Sequence, residues 1–303
     1  MIYPLEYIRP FTYDSSFHTW GKWMSALQPI YSPDNTSAAY QLNWSLTLSM
    51  RERFLIPKTA FETLKTATEI DAVRILEHRQ LADQRLQFFI SSQPQVSPSD
   101  IVRSVKGRLQ YVITKINPKA FQRSYNIYSI GETNNDCLNA YVAKQPARHP
   151  MADPRVQRQI ELLQFYDERI NLKEPQFCNH GRFLHNLHIV IENRDHLHTV
   201  NEEYLHKLRS MIIRSCAQKH QLLARIGLVS NHMHLLLGCD VACSPQSIAL
   251  SLMNNLAYSI GMKAIFEFSY YVGTFGPYDR DAIRRELPSP AQSCSFAEKK
   301  GRS

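Results

Sequence analysis

The sequence predicts an α+β fold built twice over: two tandem domains, each an antiparallel sheet covered by helices. The first observation behind this is an internal repeat. Gln87-Phe88-Phe89-Ile90 and the following Ser97-Pro98 recur at constant spacing as His234-Leu235-Leu236-Leu237 and Ser244-Pro245. Ile101, Leu109 and Tyr111 then meet Ile248, Leu256 and Tyr258; after a two-residue slip, Phe121, Ser124, Tyr125 and Gly131 meet Phe266, Ser269, Tyr270 and Gly276. The second is that both copies place an apolar, strand-like run, 85–91 and 225–237, before a Ser-Pro pair that reads as a helix cap with a first-turn proline. The third is size, since 303 residues with 44% hydrophobic content suit two ordinary cores.

Taken in order, 1–39 stands outside the repeat as a partly ordered extension rich in aromatics, including Tyr3, Tyr7, Trp20, Trp23 and Tyr31. The first repeat spans 40–145. Within it, 40–50 is rich in β-formers and reads as a strand, 57–79 as a helix with a loose apolar stripe, and 85–91 as the next strand. Ser97 caps a helix running to about 115, with Asp100 completing a capping-box pattern. A short helix near Asn135 is expected to hold Tyr141 and Gln145 one turn apart. Residues 146–182 form a helical connector whose main helix covers 154–172, opened by a proline-punctuated break. The second repeat, 183–287, returns a strand at 183–192, a helix at 201–221, the strand 225–237 and the helix at Ser244-Pro245. A Pro-, Ser-, Lys- and Gly-rich tail at 288–303 reads as disordered.

No apolar stretch has membrane-span length and no basic-then-apolar signal opens the chain, so a soluble, cytoplasmic protein is expected. The six cysteines include no CxxC pair, which fits reduced thiols. The net charge of +8 favours a polyanionic partner. Arg103, Lys106, Arg108, Lys115, Lys119 and Arg123 crowd a stretch that also carries Tyr111, Phe121, Tyr125 and Tyr128. Cations for phosphates and flat rings for unstacked bases suit single-stranded nucleic acid; the plainer reading is a solvated helix face beside core aromatics.

His232-Met233-His234 lies inside the apolar run 228–237. Residues two apart on a strand share a side, so both imidazoles could face one divalent ion, or both could be satisfied core residues. Asn231, just before them, either orients a ligand or caps a turn. Cys178, His180, His185, His188, His196 and His198 form a metal-rich tract, but their spacing matches no standard zinc finger.

Three segments carry a family likeness: VSNHMHLLLG at 229–238, the Ser244-Pro245 helix start, and AYVAKQ at 140–145. With them the chain resembles the single-tyrosine transposases of the His-hydrophobic-His (HUH) endonuclease superfamily, including the insertion-sequence 200/605 type and the REP-associated tyrosine transposases. The resemblance covers 40–145 and 183–287. It implies ferredoxin-like, HUH-type domains. It also implies that Tyr141 attacks a phosphodiester of single-stranded DNA, giving a 5′-phosphotyrosine and a free 3′-OH. His232, His234 and Gln145 would hold Mg²⁺ or Mn²⁺.

Members of that family act as dimers in which one subunit's tyrosine helix can reach the partner's histidines. Here the first repeat keeps Tyr141 and Gln145 but has Arg85 and Gln87 in place of histidines; the second keeps the histidines but has Glu286 in place of the tyrosine. These complementary losses imply a monomer working as a fused pseudo-dimer, with one composite site and one vestigial site marked by Arg85, Gln87 and Glu286. Tyr258, Tyr270, Tyr271 and Tyr278 are rival nucleophiles in the second repeat. The expected partner is single-stranded or hairpin DNA, which the aromatic extension would grip unless it simply caps the sheet. The alternatives are a catalytically inactive descendant that binds DNA hairpins, and a replication-type DNA nickase.

Overall fold

A computed structural model describes residues 28–81, 84–194, 200–261 and 263–277. Glu286, Tyr278, His196, His198, the 288–303 tail and most of the aromatic extension lie outside them. The first half runs β1 (Ser37–Gln41), β2 (Asn43–Met50), α1 (Lys58–Glu69), β3 (Val73–Gln80), β4 (Arg85–Ser92), α2 (Pro98–Ile113), β5 (Phe121–Ile130) and α3 (Asn135–Ala143). There follow α4 (Gln145–Arg148), α5 (Pro154–Leu162), and the short strands β6 (Phe165–Tyr166), β7 (Gln176–Cys178) and β8 (Gly181–Leu184). The second half is β9 (Asn186–Glu192), α6 (Glu202–Gln218), β10 (Leu222–Leu228), β11 (His232–Gly238), α7 (Pro245–Ser259) and β12 (Ser269–Thr274).

The two Ser-Pro helices begin where their local chemistry says. Ser97 Oγ accepts from the Asp100 amide at 3.2 Å while Asp100 accepts back from the Ser97 amide, closing the capping box. Ser244 Oγ accepts from the Ser247 amide at 3.2 Å, and Pro98 and Pro245 fill first-turn positions that need no N–H.

Among the described residues the strands form two six-stranded sheets, ordered β3-β4-β2-β5-β8-β7 and β1-β12-β9-β11-β10-β6. Each contains an antiparallel ferredoxin-like core from one half, β3-β4-β2-β5 or β10-β11-β9-β12. The halves then exchange edges: β1 pairs parallel with β12, and β8 pairs parallel with β5. A single residue, Leu42 or His185, separates each exchanged strand from the first core strand of its own half.

The seam repeats its contacts. Ser129 Oγ donates to the Phe275 carbonyl at 2.7 Å and accepts from the Asn186 amide at 3.1 Å. Thr274 Oγ1 likewise donates to the Ile130 carbonyl at 2.6 Å and accepts from the Asn43 amide at 2.8 Å. Gly131 and Gly276 are the close-approach points: a Cβ would lie 2.8 Å from the Thr274 carbonyl oxygen at the first and 2.3 Å from that of Ser129 at the second.

Each sheet buries one face under its own helices. Leu46, Leu48, Phe88 and Ile90 meet α1 and α2 residues such as Leu64, Val105 and Leu109. Ile189, Ile191, Leu235 and Leu237 meet Leu208, Ile212, Met253 and Leu256 of α6 and α7. Tyr31 joins the second core, its hydroxyl accepting from the Phe266 amide at 2.7 Å, so the end of the extension caps the second sheet.

Several sequence expectations change. The run 40–50 is two strands in different sheets, because Leu42 turns the chain across the seam. The helix expected over 57–79 stops at Glu69; Ala72 takes φ +58° to reverse the chain, and Val73 and Ile75 alternate into the core as strand β3. The 154–172 helix stops at Leu162, and Phe165–Tyr166 pairs with β10. The connector is therefore not simply helical: it supplies β6 to one sheet and β7 and β8 to the other. The strands expected at 183–192 and 225–237 are each interrupted, at His185 and at 229–231.

Candidate active site at the seam

β11 alternates like any half-buried strand. Met233, Leu235 and Leu237 face the helices of the second core, while Leu236 belongs to a small separate cluster with Leu138, Val142, Leu172 and Phe275. His232 and His234 share Leu236's side. Leu138 and Val142 are the buried face of α3, so a helix from the first half lies on the histidine face of the second half's sheet. Asn134 caps that helix by accepting from the Cys137 amide at 2.9 Å, and Arg225 Nε on β10 donates to Asn139 Oδ1 at 3.0 Å.

This docking brings Tyr141 to His234. Their rings meet edge-on with centroids 5.6 Å apart, and Tyr141 remains 38% exposed. The Arg148 guanidinium carbon stands 4.8 Å from the Tyr141 ring centroid, a cation–π contact. His149, just after α4, meets the His232 ring at 5.0 Å.

Three histidines stand in one row, ring nitrogen to ring nitrogen. His232 Nδ1 lies 2.8 Å from Asn231 Oδ1, His232 Nε2 lies 3.1 Å from His234 Nε2, and His234 Nδ1 lies 2.9 Å from His188 Nε2. Since Asn231 Oδ1 only accepts, His232 carries its proton on Nδ1 and leaves an Nε2 lone pair. Asn231 thus orients the histidine beside it. Burial holds the row neutral: it pulls His234 down to about 2, helped by His188, His232 and His149, and pulls His232 to about 4, with His149 adding. His188 is drawn to about 4 by burial alone.

Neutral imidazoles are the form that binds cations. The 3.1 Å gap between the Nε2 atoms fits two nitrogens facing one divalent ion at bond lengths of about 2.0–2.1 Å. Among the described residues no group of three or more His, Cys, Asp or Glu is arranged to hold a metal ion. Gln145, the third ligand that the resemblance implies, lies at the start of α4, just after the tyrosine helix. Gln145 is only 1% exposed, and its Nε2 donates to the Tyr141 carbonyl at 3.4 Å. It does not continue the tyrosine helix as the spacing predicts: α3 ends at Ala143, Lys144 is the joint, and Gln145 and Pro146 open α4.

The matching place in the first sheet holds different chemistry. Gln87 Nε2 donates to Ser45 Oγ at 3.2 Å, and Arg85 is exposed. Gln87 pairs with Thr47 across β2 as His234 pairs with Val190 across β9, so Ser45 stands where His188 stands. His188 was grouped by sequence with the cysteine-histidine tract, whose described members Cys178, His185 and His188 have different partners. Cys178 meets the Tyr125 hydroxyl at 3.3 Å, and His185 Nδ1 donates to the Asp240 carbonyl at 2.8 Å. His188's strand was legible, but nothing in the sequence said that strand pairs with β11.

Tyr271 lies beyond His188 with ring centroids 5.6 Å apart, whereas Tyr270 is buried on the opposite, helix-covered side. The basic stretch is less free than its spacing implies. Arg108 makes two 2.7 Å hydrogen bonds to Asp71, Arg103 pairs with Asp100, and Lys106 Nζ donates to the Arg123 carbonyl at 2.9 Å. The Arg108 hydrogen bonds, with Ser104 adding, hold Asp71 down at about 2. Tyr111 is 84% exposed on the same helix.

Residues 47–145 match the family model described as Transposase IS200 like, a segment that ends on Gln145 and includes Tyr141. No curated protein matches the chain. Among solved structures, a putative transposase from Deinococcus radiodurans r1 is 15% identical over 35% of this chain and 92% of its own length, with a TM-score of 0.28. A REP-associated tyrosine transposase bound to a REP hairpin is 13% identical over 34% of this chain and 61% of its own, with a TM-score of 0.27.

Proposed function

We propose, from the IS200-like transposase segment at 47–145, that the chain is a single-stranded DNA strand transferase with one composite active site. The observation that carries the reading is Tyr141 of the first half lying against His234 of the second. The reciprocal contacts of Ser129 and Thr274 support its corollary, a fused pseudo-dimer acting as a monomer.

Tyr141 is the nucleophile. Its phenolic oxygen bonds to phosphorus, the bond from phosphorus to the 3′ oxygen breaks, and the 3′ oxygen takes up a proton as the phenol gives one up. The 5′-phosphotyrosine keeps an ester that the free 3′-OH attacks in the reverse sense, so strands rejoin without ATP. Arg148, stacked on the Tyr141 ring, is placed to attract the phosphate and to stabilise negative charge on the phenolic oxygen.

His232, His234 and Gln145 would hold the divalent ion, Mg²⁺ or Mn²⁺, which when bound supplies Lewis-acid stabilisation of phosphate charge. Arg103, Lys106, Lys115 and Arg123 are the proposed contacts to the DNA phosphates, with Arg108 mainly a structural partner of Asp71. Among the described residues no helix is long and apolar enough to cross a membrane.

Incubating the chain with labelled single-stranded hairpin DNA and Mn²⁺, wild type beside Tyr141→Phe, tests this. A covalent adduct that disappears in Tyr141→Phe supports the assignment, and adduct persisting in that variant moves the nucleophile elsewhere. Hairpin binding with no adduct from any substrate favours the non-catalytic binding reading.

A further inference from the structure

We infer that His188 is a positioning residue for this site: by accepting a hydrogen bond from His234 Nδ1–H, it turns the His234 Nε2 lone pair toward the divalent ion. This rests on the proposed metal site. The contact is direct, with His188 Nε2 2.9 Å from His234 Nδ1 and the two rings nearly parallel at 15°.

Proton placement gives the contact its meaning. His232 already presents an Nε2 lone pair, because Asn231 Oδ1 accepts a hydrogen bond from its Nδ1–H. His234 has no such fixed acceptor; its Nδ1 faces another imidazole, which can donate or accept at Nε2. If His188 donates, His234 must carry its proton on Nε2, directed at His232 Nε2 3.1 Å away, and cannot ligate. If His188 accepts, both Nε2 lone pairs converge. His188 therefore decides whether the His pair is a hydrogen bond or a chelate, and a metal-ligating histidine needs such an outer partner to fix its tautomer.

The duplicated sheet supplies an independent observation. Where His234 is replaced by Gln87, the residue in His188's place is Ser45, and the two again bond to each other, at 3.2 Å. The pair is thus coupled in both sheets: imidazole with imidazole at the candidate site, amide with hydroxyl at the vestigial one.

Mn²⁺ affinity of the full chain, measured without DNA by electron paramagnetic resonance, tests the inference. His188→Leu is expected to weaken Mn²⁺ binding about 10- to 100-fold, and His188→Gln, whose amide oxygen can accept, to recover most of it. Wild-type affinity in His188→Leu overturns the role of His188. If the wild type binds no Mn²⁺, or His232→Ala and His234→Ala bind as well as wild type, the metal site itself is overturned, and His188's role with it. Nitrogen-15 spectra of the wild-type histidines with Mg²⁺ added decide the matter should His188→Leu not fold. A protonated His234 Nδ1 supports the inference, and a protonated His234 Nε2 overturns it.

Discussion

Gly227 lies directly beneath Val142: a Cβ on Gly227 would meet Val142 Cγ1 at 2.5 Å and the Val142 carbonyl oxygen at 3.3 Å. Val142 is fully buried and stiff about χ1, so it cannot swing aside cheaply. The absent side chain on β10 is what lets α3 settle on the sheet and bring Tyr141 onto His234.

Gly227→Ala should therefore lift the tyrosine helix, lowering adduct formation more than hairpin binding and costing about 1–3 kcal/mol of stability. Val142→Ala in the same chain removes the colliding methyl and should restore much of the adduct yield. Gel quantification of adduct in the single and double variants checks this; equal yields in Gly227→Ala and wild type would contradict it.

Ser129→Ala removes two buried hydrogen bonds across the seam, leaving the Phe275 carbonyl and Asn186 amide without their hydroxyl partner. The expected cost is about 1–3 kcal/mol. Thr274→Val should cost a similar amount, since Thr274 makes the equivalent pair of bonds. Urea unfolding measures both, and a loss confined to one of them would show the two seam contacts to be unequal.

Stability should fall on acidification through the buried histidines. Burial draws His185 from an ordinary 6.5 to about 4. The unfolded chain takes up a proton below pH 6.5 that the folded chain refuses until about 4, so this contribution is complete above 6.5 and lost as pH falls through that window. His188, His232 and His234, also drawn down, act in the same direction. Each such proton is worth about 1.4 kcal/mol per pH unit. The urea midpoint should drop between about pH 6.5 and 5, with a shallower slope in His185→Gln; an identical slope there would assign the acid sensitivity to other groups.

Lys115→Gln should weaken hairpin binding and reduce the slope of log affinity against log salt by about 1. Arg108→Gln should leave that slope nearly unchanged and lower stability by less than about 1 kcal/mol, because its guanidinium is engaged by Asp71 in a partly exposed pair. Binding titrations at several salt concentrations separate the two; a slope change in Arg108→Gln equal to that in Lys115→Gln would restore Arg108 to the DNA-binding set.

Local chemistry was the legible part of the fold. The Ser97 and Ser244 caps, the strand at 85–92 and the shared side of His232 and His234 all follow from contacts within a few residues. Errors fell where a short segment had a partner far away. Leu42 and His185 carry no mark in the sequence of a crossing between sheets, and Val73–Gln80 continues an apolar stripe whose period reads as helix until β4 is beside it.

What the sequence by itself determined is the internal repeat, the two Ser-Pro helix starts with the apolar strands before them, and the residues at paired positions, Arg85 and Gln87 against His232 and His234 and Tyr141 against Glu286. Those are matters of residue identity and spacing. Only the tertiary structure decided that β1 and β8 exchange sheets, that α3 docks over Gly227 onto the histidine face, and that His188 and Arg148 stand beside the pair and the tyrosine. The physical reason is that side-chain spacing sets which face a residue takes, whereas which faces meet is set by burial summed over both halves and by the few points where two backbones can approach.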